Sequence, residues 1–207
     1  MPRPKSPQSI ESAILKRIRR RGHGSILVPS DFIDLGSRQA VDLSLHRMAK
    51  AGSIRRLARG VYDFPERHPV LGLLSPSAEA VAKAIAGRDQ TRLQPAGAYA
   101  TNLLSLTEQV PAKVVFLTDG PSRTVKIGPM TIQLRRTTPR NMAASDRLIG
   151  LLIQAFRELG KDHVTPGRVA HLKRRLPAPE RRDLVKDLKL APVWMHPILR
   201  DLAAADA

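Results

Sequence analysis

Between Ser37 and Pro65 the chain reads SRQAVDLSLHRMAKAGSIRRLARGVYDFP, and few folds accommodate that order. The first half has helical periodicity. Val41, Ser44, Leu45 and Met48 fall on one side at 100° per residue, and Gln39, Asp42, His46 and Lys50 fall on the other. Ser37 caps the start and Gly52 stops the run. Two short β runs follow around a tight turn at Arg59-Gly60 and end in Val61, Tyr62 and Phe64. A helix directly before a basic hairpin suits one task well. The helix enters a major groove, and the hairpin flanks it against the sugar-phosphate backbone.

The residues before Ser37 agree with this. Ser6 precedes Pro7, a capping hydroxyl before a proline at the first helical position. Ile10, Ile14 and Ile18 then make one apolar stripe, with Lys16, Arg19 and Arg20 opposite. Gly22 and Gly24 end that helix, SILVP reads as a brief strand, and Ser30 caps a very short helix closed by Gly36. Helix, short strand, short helix, helix, hairpin is the order of a winged helix-turn-helix, here over residues 1–68.

The side chains carry the same reading. Arg55, Arg56 and Arg59 neutralise phosphates and release counterions; Arg59, at the turn, also reaches toward a minor groove. Ser37, Arg38 and Gln39 stand at the N-terminal end of the groove helix, where base edges are met. Arginine pairs with guanine O6 and N7, and glutamine with adenine N6 and N7. Asp42 either accepts from cytosine N4 or discourages wrong sequences. A charged helix face is often simply solvated, so that alternative stands for Arg38 and Gln39. For His46 and Lys50 the choice lies between a solvated face and a phosphate contact. Tyr62 and Phe64 read as core beneath the hairpin.

Charge decides the class of partner. The 207 residues carry 35 Lys and Arg against 18 Asp and Glu, a formal net charge of +17 with a pI near 11.3. Such a chain favours a polyanion, nucleic acid first and an anionic membrane surface second. No apolar run approaches the ~18 residues needed to cross a bilayer, and the first residues lack a secretory apolar core. There is no cysteine, so disulfides and thiolate metal sites are excluded. The expectation is a soluble cytoplasmic protein. Residues 1–68 hold 14 Lys and Arg against 6 Asp and Glu, denser than the remainder.

Beyond a boundary near residues 65–72, the expected second domain spans 72–207. Ser75 and Pro76 open a helix with Ala78, Val81, Ala82 and Ile85 on its apolar face, and GAYATNLLSLT reads as a second helix. KVVFLTD, SRTVKI and MTIQLRR are three candidate strands joined at Gly120-Pro121 and Gly128-Pro129. Ser145 caps a helix from Asp146, Thr165-Pro166 opens another, and two more follow, the last kinked at Pro197. The class is α+β, with a small antiparallel sheet and several helices. No catalytic motif stands out. The six histidines make no HxxxH or HExxH pair, and no P-loop, GxGxxG, GxSxG or Asp-x-Asp is present. Asp119, Glu108 and Asp146 read as a turn residue, a helix end and a first-turn acid. The expectation is no enzyme, no cofactor and no metal.

RRLARGVYDFP, followed some thirty residues on by PAGAYATNLLSLTEQVPAKVVFLTDGPSRTVKIGPMTIQLRRT, resembles the AbiEi-type antitoxins of abortive-infection toxin–antitoxin systems. The resemblance covers about residues 8–140 and at the hairpin falls on Arg56, Arg59, Gly60 and Tyr62. It implies an N-terminal domain that represses its own operon by binding inverted repeats. It also implies a C-terminal domain that opposes a nucleotidyltransferase-like toxin. No antitoxin residue of the second domain is assigned by it. The implied partners are double-stranded DNA and a cognate toxin, with no membrane, and the chain is expected as a monomer or weak dimer on DNA. The competing reading is a protein- or RNA-binding module without operator specificity.

Residues 161–190 carry 9 Lys and Arg against 4 Asp and Glu. Arg168, Lys173, Arg174, Arg175, Arg181 and Arg182 crowd around LPAP, read as a tight connection between two helices. They are either a solvated surface or a second polyanion contact.

Overall fold

Ile10, Ile14 and Ile18 recur every fourth residue, and the helix they imply forms from Pro7 to Arg21 (α1) with all three buried. The computed structural model describes residues 7–204, an α+β fold with nine α-helices among them. The expected cap Ser6 lies outside the described residues. The chain divides into two compact units, residues 1–90 with 125–129, and residues 91–124 with 130–207.

In the first unit, β1 (Ile26–Leu27) follows α1. The short helix expected from Ser30 is instead one 3-10 segment, Pro29–Phe32. Pro29 lacks the N–H that a first helical position leaves unpaired anyway. The Asp31 carboxylate accepts from the Val28 N–H at 3.2 Å, so aspartate rather than Ser30 tends this end. Helix α2 (Arg38–Lys50) starts where the Ser37 hydroxyl accepts from the Ala40 N–H at 3.3 Å. Val41, Ser44, Leu45 and Met48 are its buried residues. Gly52, at φ 75°, takes the left-handed turn that ends the helix. Strands β2 (Arg55–Ala58) and β3 (Val61–Asp63) form the hairpin, and the sheet order is β1-β3-β2. Arg55 lies opposite Asp63 and Arg56 opposite Tyr62, with an irregularity before Ala58. Ile10, Ile14, Ile18, Leu27, Phe32, Val41, Leu45, Met48, Ile54 and Tyr62 close into one core.

Two findings move the limit of this unit. The expected linker at 65–72 holds a small hairpin, β4 (Arg67–His68) paired with β5 (Gly72–Leu73). Helix α3 (Ala78–Asp89) packs against β1 and β3, so the first unit runs on to Gln90. The cap of α3 is Ser77, whose hydroxyl accepts from Ala80 N–H at 3.1 Å, not Ser75. Pro76 and Ser77 still belong to the extended approach.

A mixed sheet of order β6-β7-β9-β8 is built from β6 (Leu93–Ala96), β7 (Lys113–Thr118), β8 (Arg123–Ile127) and β9 (Met130–Arg136), with β6, β7 and β9 in the second unit. The sheet was expected to be antiparallel. Instead β7 and β9 run parallel, from Lys113 opposite Thr131 to Thr118 opposite Arg136. After Gly128-Pro129 the chain returns on the inner side of β8, which leaves β8 at the edge and β9 beside β7. Strand β6 was not anticipated, because Pro95 argues against a strand interior. As an edge strand it forfeits no ladder bond on its free side.

Helix α4 (Ala98–Leu103) and the short α5 (Pro139–Met142) precede α6 (Leu148–Leu159). Ser145 does not cap α6. Asp146 takes a left-handed φ of 62°, Arg147 occupies the cap position, and Ser145 is buried ahead of them. Asp146 is therefore outside the first turn. Helices α7 (Pro166–Arg175), α8 (Ala178–Asp183) and α9 (His196–Ala203) follow. Pro197 sits in the first turn of α9, where a proline kinks nothing. Leu152 and Phe156 of α6 pack in one core with Val169, Leu172, Leu184, Met195, Leu199 and Leu202. The helical tail is thus structural, supplying much of this unit's interior.

Candidate nucleic-acid interface

The burial of Val41, Leu45 and Met48 turns the opposite side of α2 outward. Ser37, Arg38, Gln39, Asp42, His46 and Lys50 are all exposed, so the sequence-predicted residues of this helix share one solvent face. Leu43 and Arg47 join them, Leu43 at 45% exposure. Both lie at helical spacing from Gln39 and were legible by the same periodicity. Arg47 approaches Glu11 of α1 at 3.9 Å. Arg38 donates through Nε to both oxygens of Asp42, at 3.2 and 3.1 Å.

The three hairpin arginines separate. Arg56 and Arg59 are exposed, Arg59 at the turn. Arg55, expected at phosphates, is half-buried and engaged within the unit. Its guanidinium pairs with Asp63, which is 1% exposed, with Nε to Oδ1 at 3.0 Å, and it also donates to the Leu74 carbonyl at 2.9 Å. A buried carboxylate needs a cation beside it, and Arg55 is the cation the register places opposite. The hairpin turn is held from outside itself. Arg88 of α3 donates through Nη1 to the Arg59 carbonyl at 2.7 Å, while its Nε pairs with Asp89 at 2.9 Å. Gly60 turns at φ 67°, and a side chain there would meet that guanidinium at 3.3 Å. The bond leaves the Arg59 side chain outside. Tyr62 is 6% exposed and belongs to the core. Phe64, half-buried, stacks on His23 at 4.1 Å between ring centroids.

Further cations lie on α1. Lys16, Arg19 and Arg20 are exposed and, with Ser12 and Leu15, line a shallow concavity of about 560 Å³. Arg17 and Arg21 are engaged, with Asp34 and Asp31 respectively, both at hydrogen-bond distance.

The six tail cations do not form one cluster. Arg181 is 3% exposed and donates to the Leu202 carbonyl at 3.2 Å, so it is a core residue and not a surface contact. Lys173 pairs with Asp201 at 2.7 Å, and Arg168 caps the His163 carbonyl. Arg174, Arg175 and Arg182 are exposed.

The scattered carboxylates have structural partners. Asp119 accepts from the Arg92 N–H at 2.8 Å and its Nε at 2.9 Å. Those bonds, the backbone one foremost, hold its carboxyl below the usual range. Among the described residues no group of three or more His, Asp or Glu could hold a metal ion, and no helix is long and apolar enough to cross a membrane.

The sequence model of a family described as "Family of unknown function (DUF6088)" matches residues 13–184. No curated protein matches the chain. Among solved structures, the crystal structure of the RV2827C protein from Mycobacterium tuberculosis is similar with a TM-score of 0.44 and 14% identity, over 99% of this chain and 84% of that one.

Proposed function

We propose that this chain, which belongs to the DUF6088 family, is a sequence-specific DNA-binding repressor whose first unit works as a winged helix-turn-helix. In this reading α2 enters the major groove and the β2–β3 hairpin is the wing. One observation carries the proposal: the exposed face of α2, with Arg38, Gln39, His46 and Lys50, stands in the same unit as a hairpin that turns Arg56 and Arg59 outward. Polar groups at the helix start can read base edges, and the hairpin cations can lie on phosphates. The resemblance to AbiEi-type antitoxins supports two further parts of the proposal. The DNA would be an inverted repeat controlling the chain's own operon, and the second unit would counteract a nucleotidyltransferase-like toxin. The cytoplasm is where both would act.

The test is selection of the full chain on a pool of random 20-base-pair duplexes, followed by anisotropy titrations of an enriched duplex and a scrambled one. A specific reader shows an affinity ratio of about 10³ or more. A folded chain that binds both duplexes alike is a general polyanion binder, and one that binds neither at low salt is not a DNA-binding protein.

A further inference from the structure

Asp42 lies one helical turn from Arg38 on α2. It touches the guanidinium of Arg38 through Nε alone, at 3.2 Å to one carboxylate oxygen and 3.1 Å to the other. The Nε–H of Arg38 is thereby engaged, and the hydrogen bonds of the pair run through Nε. The two side chains remain 55% and 49% exposed, so the terminal fork is open to a ligand.

Helix stability gives only a weak reason for this pair. Arg38 is the first residue of α2, at the positive end of the helix dipole, where a cation is unfavourable. A basic residue four positions before an acid is also the weaker order for an ion pair along a helix. Arg38 is therefore placed against the local electrostatics of its own helix, and Asp42 sits one turn later to hold it. The pair has no net charge, so it makes a poor phosphate clamp; a neighbouring carboxylate repels phosphate oxygens. What suits it is a neutral acceptor pair in one plane. Guanine offers this in the major groove, with O6 and N7 side by side, and an arginine fork meets both.

We infer that Asp42 is a positioning residue that fixes Arg38 through Nε and so directs its Nη fork at a guanine. Asp42 itself contacts no base. The inference rests on the DNA-binding proposal above and adds the base identity at one position and the residue that sets it. Loss of the carboxylate frees the arginine to swing toward phosphates, so preference falls while general affinity does not.

The experiment uses the full chain and the random 20-base-pair duplex pool. If wild type enriches no motif, the DNA-reading proposal fails, and this inference with it. If it enriches a motif containing a guanine that Arg38→Lys no longer selects, that guanine is the one to follow. Asp42→Ala should then lower discrimination for it about tenfold, part of the roughly 5- to 150-fold a good bidentate contact supplies, with binding to scrambled duplex equal or tighter. Asp42→Glu, which keeps a carboxylate one turn from Arg38, should retain the preference. In an Arg38→Ala background, Asp42→Ala should change discrimination no further. Unchanged guanine preference in Asp42→Ala overturns the inference. So does loss of preference for cytosine instead, which would make Asp42 a base reader. Because both side chains are exposed, thermal melts of all these variants should match wild type; a lowered melt for Asp42→Ala would make its role structural and also overturn the inference.

Discussion

Arg55 and Arg59 stand four residues apart on one hairpin, and replacing each with alanine should have opposite consequences. Asp63 is 1% exposed, and the Arg55 guanidinium is its charge partner. Arg55→Ala leaves that carboxylate buried beside no cation. Breaking a fully buried pair costs about 3–5 kcal/mol. The Arg55 side chain keeps 27% of its surface in water, which screens the pair and brings the expected cost to about 2–3 kcal/mol. In a unit of this size 1 kcal/mol moves the melting temperature by about 4–8 °C. The transition of the first unit should therefore fall by about 10–20 °C. Arg59 differs in every respect. Its hydrogen bond to Arg88 runs through the carbonyl, which alanine retains. Arg59→Ala should stay within about 0.5 kcal/mol of wild type. It should instead flatten the slope of log affinity against log salt by about 0.9, the effect of one lost phosphate contact on duplex DNA. Circular dichroism melts give the first quantity, and anisotropy titrations at several salt concentrations give the second. An Arg55→Ala protein that melts like wild type and flattens the salt slope would refute the reasoning, because Arg55 would then face the DNA.

Leu45 is 0% exposed in the core of the first unit, so Leu45→Ala should lose about 2–5 kcal/mol in a denaturant titration; an unchanged midpoint would undo the phase of α2. Gly150 allows no side chain, since a Cβ would lie 2.0 Å from the Ala144 carbonyl oxygen and 2.5 Å from Oε1 of Gln94. Gly150→Ala should destabilise the second unit by at least the 1–3 kcal/mol typical of overpacking (about that range is the floor, because the blocking atom is backbone), read as a lowered second transition. A chain ending at Lys161 should fail to fold its second unit, because α7 and α9 supply Val169, Leu172, Leu199 and Leu202 to the core; joint alanine replacement of Arg174, Arg175 and Arg182 should leave its melt unchanged. The Asp119 carboxyl is held low when folded, so its contribution to stability is present above the unfolded carboxyl range and lost as pH falls through the lower folded value. Arg92→Ala keeps the backbone N–H and removes only the side-chain bond, so it should raise the titration midpoint of Asp119 in carbon-detected NMR part of the way, and an unmoved midpoint would mean that the side-chain bond from Arg92 does not contribute.

The first unit was legible where one signal dominated. Isoleucines at every fourth position, an amphipathic run capped by Ser37, and Arg-Gly between two β runs each specify local structure. Caps were less secure. Ser75 and Ser145 are good capping residues in isolation, but it is the Ser77 hydroxyl that meets the Ala80 N–H of α3, and a left-handed Asp146 delays α6 to Leu148. Sheet order was not legible. Strands β7, β8 and β9 are consecutive, yet β9 lies between the other two, and nothing in the alternation of a strand names its neighbour. Within the candidate site, Gln39, His46 and Lys50 followed from helix phase alone. The pairing of Arg55 with Asp63 did not, because it depends on which residue lies across the hairpin.

The tail shows the same limit from the other side, and it bounds the charge available for binding. Nine cations in thirty residues obscure Val169, Leu172 and Leu184, which are the reason those helices exist. Folding then divides the charges by geometry. Arg181 goes to backbone carbonyls in the interior and Lys173 to Asp201, and Arg174, Arg175 and Arg182 remain on the surface. In the first unit the hairpin and α2 present Lys50, Arg56 and Arg59 without an ion-pair partner among the described residues. At about 0.9 per neutralised phosphate those three support a salt slope near −2.7 on duplex DNA. The Arg38–Asp42 pair adds little, because it has no net charge to exchange for counterions. A measured slope steeper than this requires further cations. Lys16, Arg19 and Arg20 belong to the same unit as α2, so they are the first to replace. If removing them restores a slope near −2.7, DNA meets α1 as well as α2. If the excess persists until Arg174, Arg175 and Arg182 are also removed, the second unit touches DNA too, and its surface is not reserved for a protein partner.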